Sequence, residues 1–153
     1  PDLFADARKF GWKRTLADRR AWGRMRMDPT DIADVGNYTL LVNGKPTAAK
    51  PWLELRAGER VRVRFVNGSA MSFMDVRTSG LPMTVVAADG RAVEPVLVDE
   101  FRIGVAETYD VIVEPKEDGA YPLYVETLDR KASVLATLAS SPTARAAVPG
   151  ARP

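Results

Sequence analysis

The chain contains no histidine and no cysteine. Imidazole and thiolate are the usual protein ligands for zinc, copper and haem iron, and they dominate nucleophilic and general-base catalysis. Their absence excludes a blue-copper centre, a zinc finger, a haem anchor, a Ser-His-Asp triad and any disulfide. Long apolar runs are missing too. None approaches the ~20 residues needed to cross a bilayer, so no membrane insertion is expected. The first residues, Pro1 to Asp6, have neither an initiator methionine nor a signal-peptide apolar core, which reads as a piece of something longer. Lack of cysteine permits an oxidising compartment without requiring one.

What remains is an ordinary globular composition, 46% hydrophobic and 27% charged, in 153 residues. That length suits one domain with a real core. The net charge is only +2, but it is unevenly spread. Between Arg8 and Arg26 there are eight basic residues against one acid, Asp18. Such a block attracts nucleic acid or anionic lipid in some proteins. A solvated helix face resting on an acidic neighbour is the simpler reading, and no nucleic-acid partner is expected.

Three zones follow along the chain. Residues 1–30 form a lead-in segment with one short amphipathic helix. Thr15 and Asp18 give it a capping-box-like start, and Pro29 ends it. Residues 31–140 read as β throughout. Val61, Val63 and Phe65 alternate with Arg60, Arg62 and Arg64, so the apolar set faces a core and the arginines face away. Further strands are expected at Tyr38–Val42, Leu53–Arg56, Met71–Arg77, Met83–Ala87, Val96–Ile103, Tyr109–Val113, Tyr121–Glu126 and Val134–Leu138. Turn signals lie between many of them, among them Asn43-Gly44, Asn67-Gly68 and Asp89-Gly90. Short strands with regular turns and no intervening helical period imply an antiparallel sandwich or barrel. Val61, Val63, Phe65, Val85, Ile103, Val111 and Val113 form the expected core. Residues 141–153, rich in Ala, Pro and Arg, read as a linker or tail.

The run from Leu55 to Ser69, LRAGERVRVRFVNGS, resembles a hallmark of multicopper oxidase cupredoxin domains. So do Met83 to Gly90 followed by Val93-Glu94-Pro95, and the stretch Arg102 to Val113. Lys13 to Arg19 and Met25 to Val35 are similar to the bacterial copper-resistance group. There, these segments introduce the second of three cupredoxin domains. The resemblance implies an all-β, cupredoxin-like Greek-key β-sandwich preceded by a short helix. It implies a periplasmic parent oxidase that carries copper, oxidises a reduced substrate and passes electrons to dioxygen. Its partners would be the flanking cupredoxin domains of the same chain. The family's His-x-His and His-Cys-His elements have no counterpart here, which matches a middle domain. No catalytic, cofactor-binding or metal-ligating residue is carried over, and the expected role is a non-catalytic structural spacer.

Other residues carry weaker signals. Methionine is the remaining soft donor, and thioether sulfur suits Cu(I). Met25, Met27, Met71, Met74 and Met83 are therefore the candidates for an alternative role, a Cu(I)-binding or partner-docking module. Methionine is also a common core filler. Asp99, Glu100, Glu107, Asp110 and Glu114 are the densest carboxylates. Paired carboxylates would suit acid/base work or a hard cation, but the simpler use is that Glu107 to Asp110 closes a strand corner, with the Tyr109 ring in the core and its hydroxyl on a backbone partner. Trp12, Trp22 and Trp52, with Arg62 and Arg64, would suit a stacking surface, but docking the lead-in segment explains Trp12 and Trp22 more simply. Asn37-Tyr38-Thr39 and Asn67-Gly68-Ser69 fit the glycosylation pattern.

Overall fold

The computed structural model describes residues 3–23 and 39–150, without the Trp22 and Gly23 side chains. The chain divides into two compact units, Pro1–Ile32 and Ala33–Pro153.

Among its described residues, the first unit holds two helices where the sequence suggested one. These are α1 (Leu3–Phe10) and α2 (Trp12–Gly23). Gly11 separates them at φ +84°, a left-handed conformation that glycine adopts without a Cβ clash. Its N–H bonds the Ala7 carbonyl, and its carbonyl accepts from Thr15 N–H, so one residue ends α1 and starts α2. Thr15 thus lies one turn inside α2, and the capping-box reading of Thr15 and Asp18 is corrected. The glycine's backbone freedom set the boundary instead. Arg19 pairs with Asp6 at 3.0 Å, and Phe4 meets Trp12 edge-on at 5.8 Å, joining the two helices.

Among the described residues, the second unit is a sandwich of nine strands: β1 (Trp52–Glu54), β2 (Val61–Val66), β3 (Met74–Thr78), β4 (Met83–Ala88), β5 (Arg91–Val98), β6 (Glu100–Ile103), β7 (Thr108–Val113), β8 (Ala120–Thr127) and β9 (Ser133–Ala139). One sheet has the order β1-β9-β8-β3-β6 and the other β2-β7-β4-β5. Only β4–β5 and β8–β9 are hairpins within a sheet. Every other connection crosses between the two sheets. The β4–β5 turn is Asp89-Gly90, with φ +47° and +76°. Positive φ at both positions is the type I′ geometry that matches strand twist.

Three expectations change. Val96–Ile103 is two strands, because the chain leaves one sheet after Val98 and enters the other at Glu100. Of the expected strand Tyr38–Val42, Tyr38 lies outside the described residues. Val42 makes an isolated bridge to Lys45 around the Asn43-Gly44 turn. The sheets are not wholly antiparallel, since β1 runs parallel to β9 over three residue pairs.

The core lies where alternation placed it. Val85, Ile103, Val111 and Val113 are buried, joined by Leu55, Val76, Met83, Leu123 and Val134. Val61, Val63 and Phe65 are half-buried against it, because β2 is a sheet edge. Full burial of a Val, Leu or Phe side chain contributes roughly 1.5–3 kcal/mol. At one end, Phe65 and Tyr109 from one sheet both contact Phe101 from the other, at 5.2 and 5.3 Å between ring centres. The tail after β9 returns to the five-stranded sheet. Ala146 N–H bonds Thr137 Oγ1 at 3.2 Å, and Arg77 reaches the Gly150 carbonyl at 3.3 Å.

Candidate functional site

Of the carboxylates singled out in the sequence, Glu107, Asp110 and Glu114 are engaged within the fold. Arg64 and Asp110 sit opposite each other on β2 and β7. The Asp110 carboxylate accepts Arg64 Nε at 2.7 Å and Nη2 at 2.9 Å, with Arg62 Nε at 3.3 Å. The Arg64 hydrogen bonds hold its carboxyl below the usual carboxylate range against the opposing effect of burial, helped by the charges of Arg64 and Arg62. On the other sheet, Arg102 grips buried Asp75 in the same two-pronged way, at 2.8 and 3.1 Å. Glu114 pairs with Arg60, and Glu107 accepts the Gly104 N–H at 2.6 Å. The Tyr109 ring lies against Phe101, and burial raises its phenol above the ordinary value. The Tyr121 hydroxyl donates to the Glu117 carbonyl.

Sequence reading took Asn67 only as a turn residue and glycosylation pattern. The structure makes it the knot of one end of the sandwich. Asn67 is buried at the end of β2. Its Nδ2 donates to the Ser72 and Ile103 carbonyls at 2.8 and 3.1 Å, and its Oδ1 accepts from Ser69 N–H. Its backbone N–H donates to Glu107 O and its carbonyl accepts from Ala106 N–H. One side chain thus fixes the exits of β2 and β6 and the approach to β3, leaving no free amide for a sugar. The Asn-Gly-Ser triplet was the available signal, since Asn commonly bonds its backbone two residues on. Its long-range partners were not legible. Asn37 lies outside the described residues.

Met25, Met27 and the Trp22 side chain also lie outside them. Met71 is 51% exposed in the loop before β3. Met74 is half-buried on β3, and Met83 is fully buried on β4 in the opposite sheet. Trp52 is occupied structurally, donating Nε1–H to the Ala139 carbonyl at 3.0 Å. Among the described residues, no cluster of His, Cys, Asp or Glu has the grouping to hold a metal ion. The donor set does not fit a cupredoxin copper centre, because imidazole and thiolate are missing from the whole sequence and the buried carboxylates Asp75 and Asp110 are committed to arginines.

The features left unexplained are surfaces. Phe4, Phe10, Trp12 and Leu16 are exposed on the helical unit, where Lys9 and Arg14 flank the Phe10 ring. On the sandwich, Val66, Met71, Phe73 and Val105 are exposed around the Asn67 corner.

Fold, topology and donor chemistry together define a cupredoxin-like domain without a copper centre of that type. Residues 2–144 match the multicopper oxidase family model, and the chain belongs to that family. It is 52% identical to copper resistance protein A of Escherichia coli over 150 residues, which are 96% of this chain and 24% of that protein. It is 50% identical to the copper resistance protein A homologue of Pseudomonas syringae pv. tomato, over 97% of this chain and 25% of that protein. The chain thus spans about a quarter of the length of these relatives. Its fold is like that of Fet3p, a multicopper oxidase that functions in iron import, with a TM-score of 0.62. That likeness covers 73% of this chain and 22% of Fet3p at 22% identity.

Proposed function

We propose that this chain is the non-catalytic middle domain of a periplasmic copper-resistance multicopper oxidase. Residues 1–30 are its lead-in segment, 31–140 its cupredoxin-like sandwich and 141–153 a linker. Its role is to space and orient the flanking copper-bearing domains. The observation that carries this reading is a two-sheet sandwich assembled with no imidazole and no thiolate anywhere in the chain. Such a domain contributes rigidity. A multi-metal site needs its ligands held to a fraction of an ångström, and packed sheets supply that better than loops do. The parent protein then oxidises a reduced substrate and passes electrons to dioxygen, with chemistry outside this chain.

The lead-in segment from Lys13 to Met27 is the expected contact to a neighbouring domain. Deleting it from the intact polypeptide should lower copper content although the deletion removes no histidine or cysteine. Full copper content and unchanged stability after that deletion would overturn the spacer reading. A second reading, a Met-based Cu(I) or partner-docking module, draws on the exposure of Met71 beside Phe73.

A further inference from the structure

Strand β5 is the edge of the four-stranded sheet, and seven of its eight residues are exposed. Register sets Val96 opposite buried Val85 and Leu97 opposite Thr84. Val96 therefore lies on the inner face of its sheet and Leu97 on the outer face. Yet Val96 is 52% exposed and Leu97 69%. The strand overhangs the opposing sheet as a flange with apolar side chains on both faces. On its outer side, Leu97 borders a groove of about 250 Å³, lined also by Pro82, Thr84 and Ile112. Lys116 and the Arg60–Glu114 ion pair complete the lining.

An exposed edge strand usually invites a further strand. This one is blunted against that. Pro95 has no N–H to donate, and Glu94 sets a charge in mid-strand. Between the pairs Ala87–Ala92 and Val85–Val96, β5 carries two more residues than β4, an irregularity that breaks the pairing row. Side-chain packing is the mode of contact left open. Two apolar side chains and one shallow groove fall well short of the ~20–30 residues a side that hold free partners together. A tethered partner needs far less, because linkage raises its effective concentration.

We infer that the β5 flange and its groove seat a neighbouring cupredoxin-like domain of the same polypeptide, packed by apolar side chains and not by strand addition. This rests on the spacer reading, in which most of the polypeptide lies outside this chain. The relatives' lengths agree, since the chain spans 24–25% of them.

Hydroxyl-radical footprinting of the intact polypeptide tests the inference without a mutation. Val96 and Leu97 should label as weakly as buried Val111. Labelling as strong as that of exposed Val148 would overturn it. Sedimentation of wild type and Leu97→Lys should give the same monomer. A dimer lost in Leu97→Lys would also overturn it, by making a second copy the occupant. Protection of β5 with copper content indifferent to the Lys13–Met27 deletion keeps the surface and removes the spacer role. Strong labelling of β5 with copper lost on that deletion does the reverse.

Discussion

Asp110 and Arg64 face each other across β7 and β2 and form a two-pronged ion pair, 2.7 and 2.9 Å long, on the outer face of the four-stranded sheet. The carboxylate is buried while the guanidinium stays exposed. Its pKa in the folded chain lies below the unfolded value, which is near 3.9 for aspartate. The resulting stability is present in full above the unfolded pKa and is lost as pH falls through the folded one. Asp110→Asn should therefore lower stability at pH 7 and flatten the loss of stability toward acid. Asp129, also lowered by its Thr127 hydrogen bond, keeps part of that acid limb in the variant. Urea midpoints measured from pH 7 down to pH 3 check both effects.

The methionines separate by burial. Met83→Ala removes a side chain with no exposed surface. It should cost about 2–5 kcal/mol, the usual range for emptying a core position. Met71→Ala, at a half-exposed site, should stay within about 0.5 kcal/mol. Chemical denaturation of both variants checks the contrast.

Asn67→Ala strips the Ser72 and Ile103 carbonyls of their amide donor. The Ser72 carbonyl keeps the Ser69 hydroxyl as a donor, while a buried acceptor left unsatisfied costs about 1–3 kcal/mol. Hydrogen exchange should quicken at Ala106 N–H and Asn67 N–H, which bridge the same corner, before it changes in β8 or β9. Uniform loss of protection across the sandwich would contradict a local role.

Gly104 offers a packing test. A Cβ there would meet the Glu107 carboxyl and the Phe73 ring, each at 3.1 Å. Gly104→Ala should be destabilising, and Glu107→Ala in the same chain should relieve part of the cost. A double-mutant cycle in urea reads the coupling.

The sandwich was legible because its signals are local. Alternation from Val61 to Val66 fixes one face, and Asp89-Gly90 fixes a hairpin, both within a few residues. The two-helix lead-in was missed because a single glycine, Gly11, divides it, and the capping pattern at Thr15 was the stronger-looking signal. The split of Val96–Ile103 into β5 and β6 has no local mark, since the apolar pattern runs on while the chain changes sheets at Asp99. Asn67 was seen as a turn, but its bonds to Ile103 and Glu107 join residues far apart in sequence. The β5 flange was hidden for a related reason: Val96 and Leu97 look like core until the opposing sheet is seen not to cover them. The lack of His and Cys, by contrast, is read directly off the sequence, and it rules out the family's His-x-His and His-Cys-His ligands in this chain.

The most direct test of the central claim is copper retention by this chain purified alone. It would be loaded anaerobically with Cu(I), then separately with Cu(II), desalted, and assayed by atomic absorption against a chromophoric Cu(I) chelator. The spacer account predicts that no copper survives desalting and that the chelator keeps its Cu(I). Retention of one copper per chain, lost when Met71, Met74 or the Met25 and Met27 pair is replaced, would contradict it and make the chain a copper-binding module.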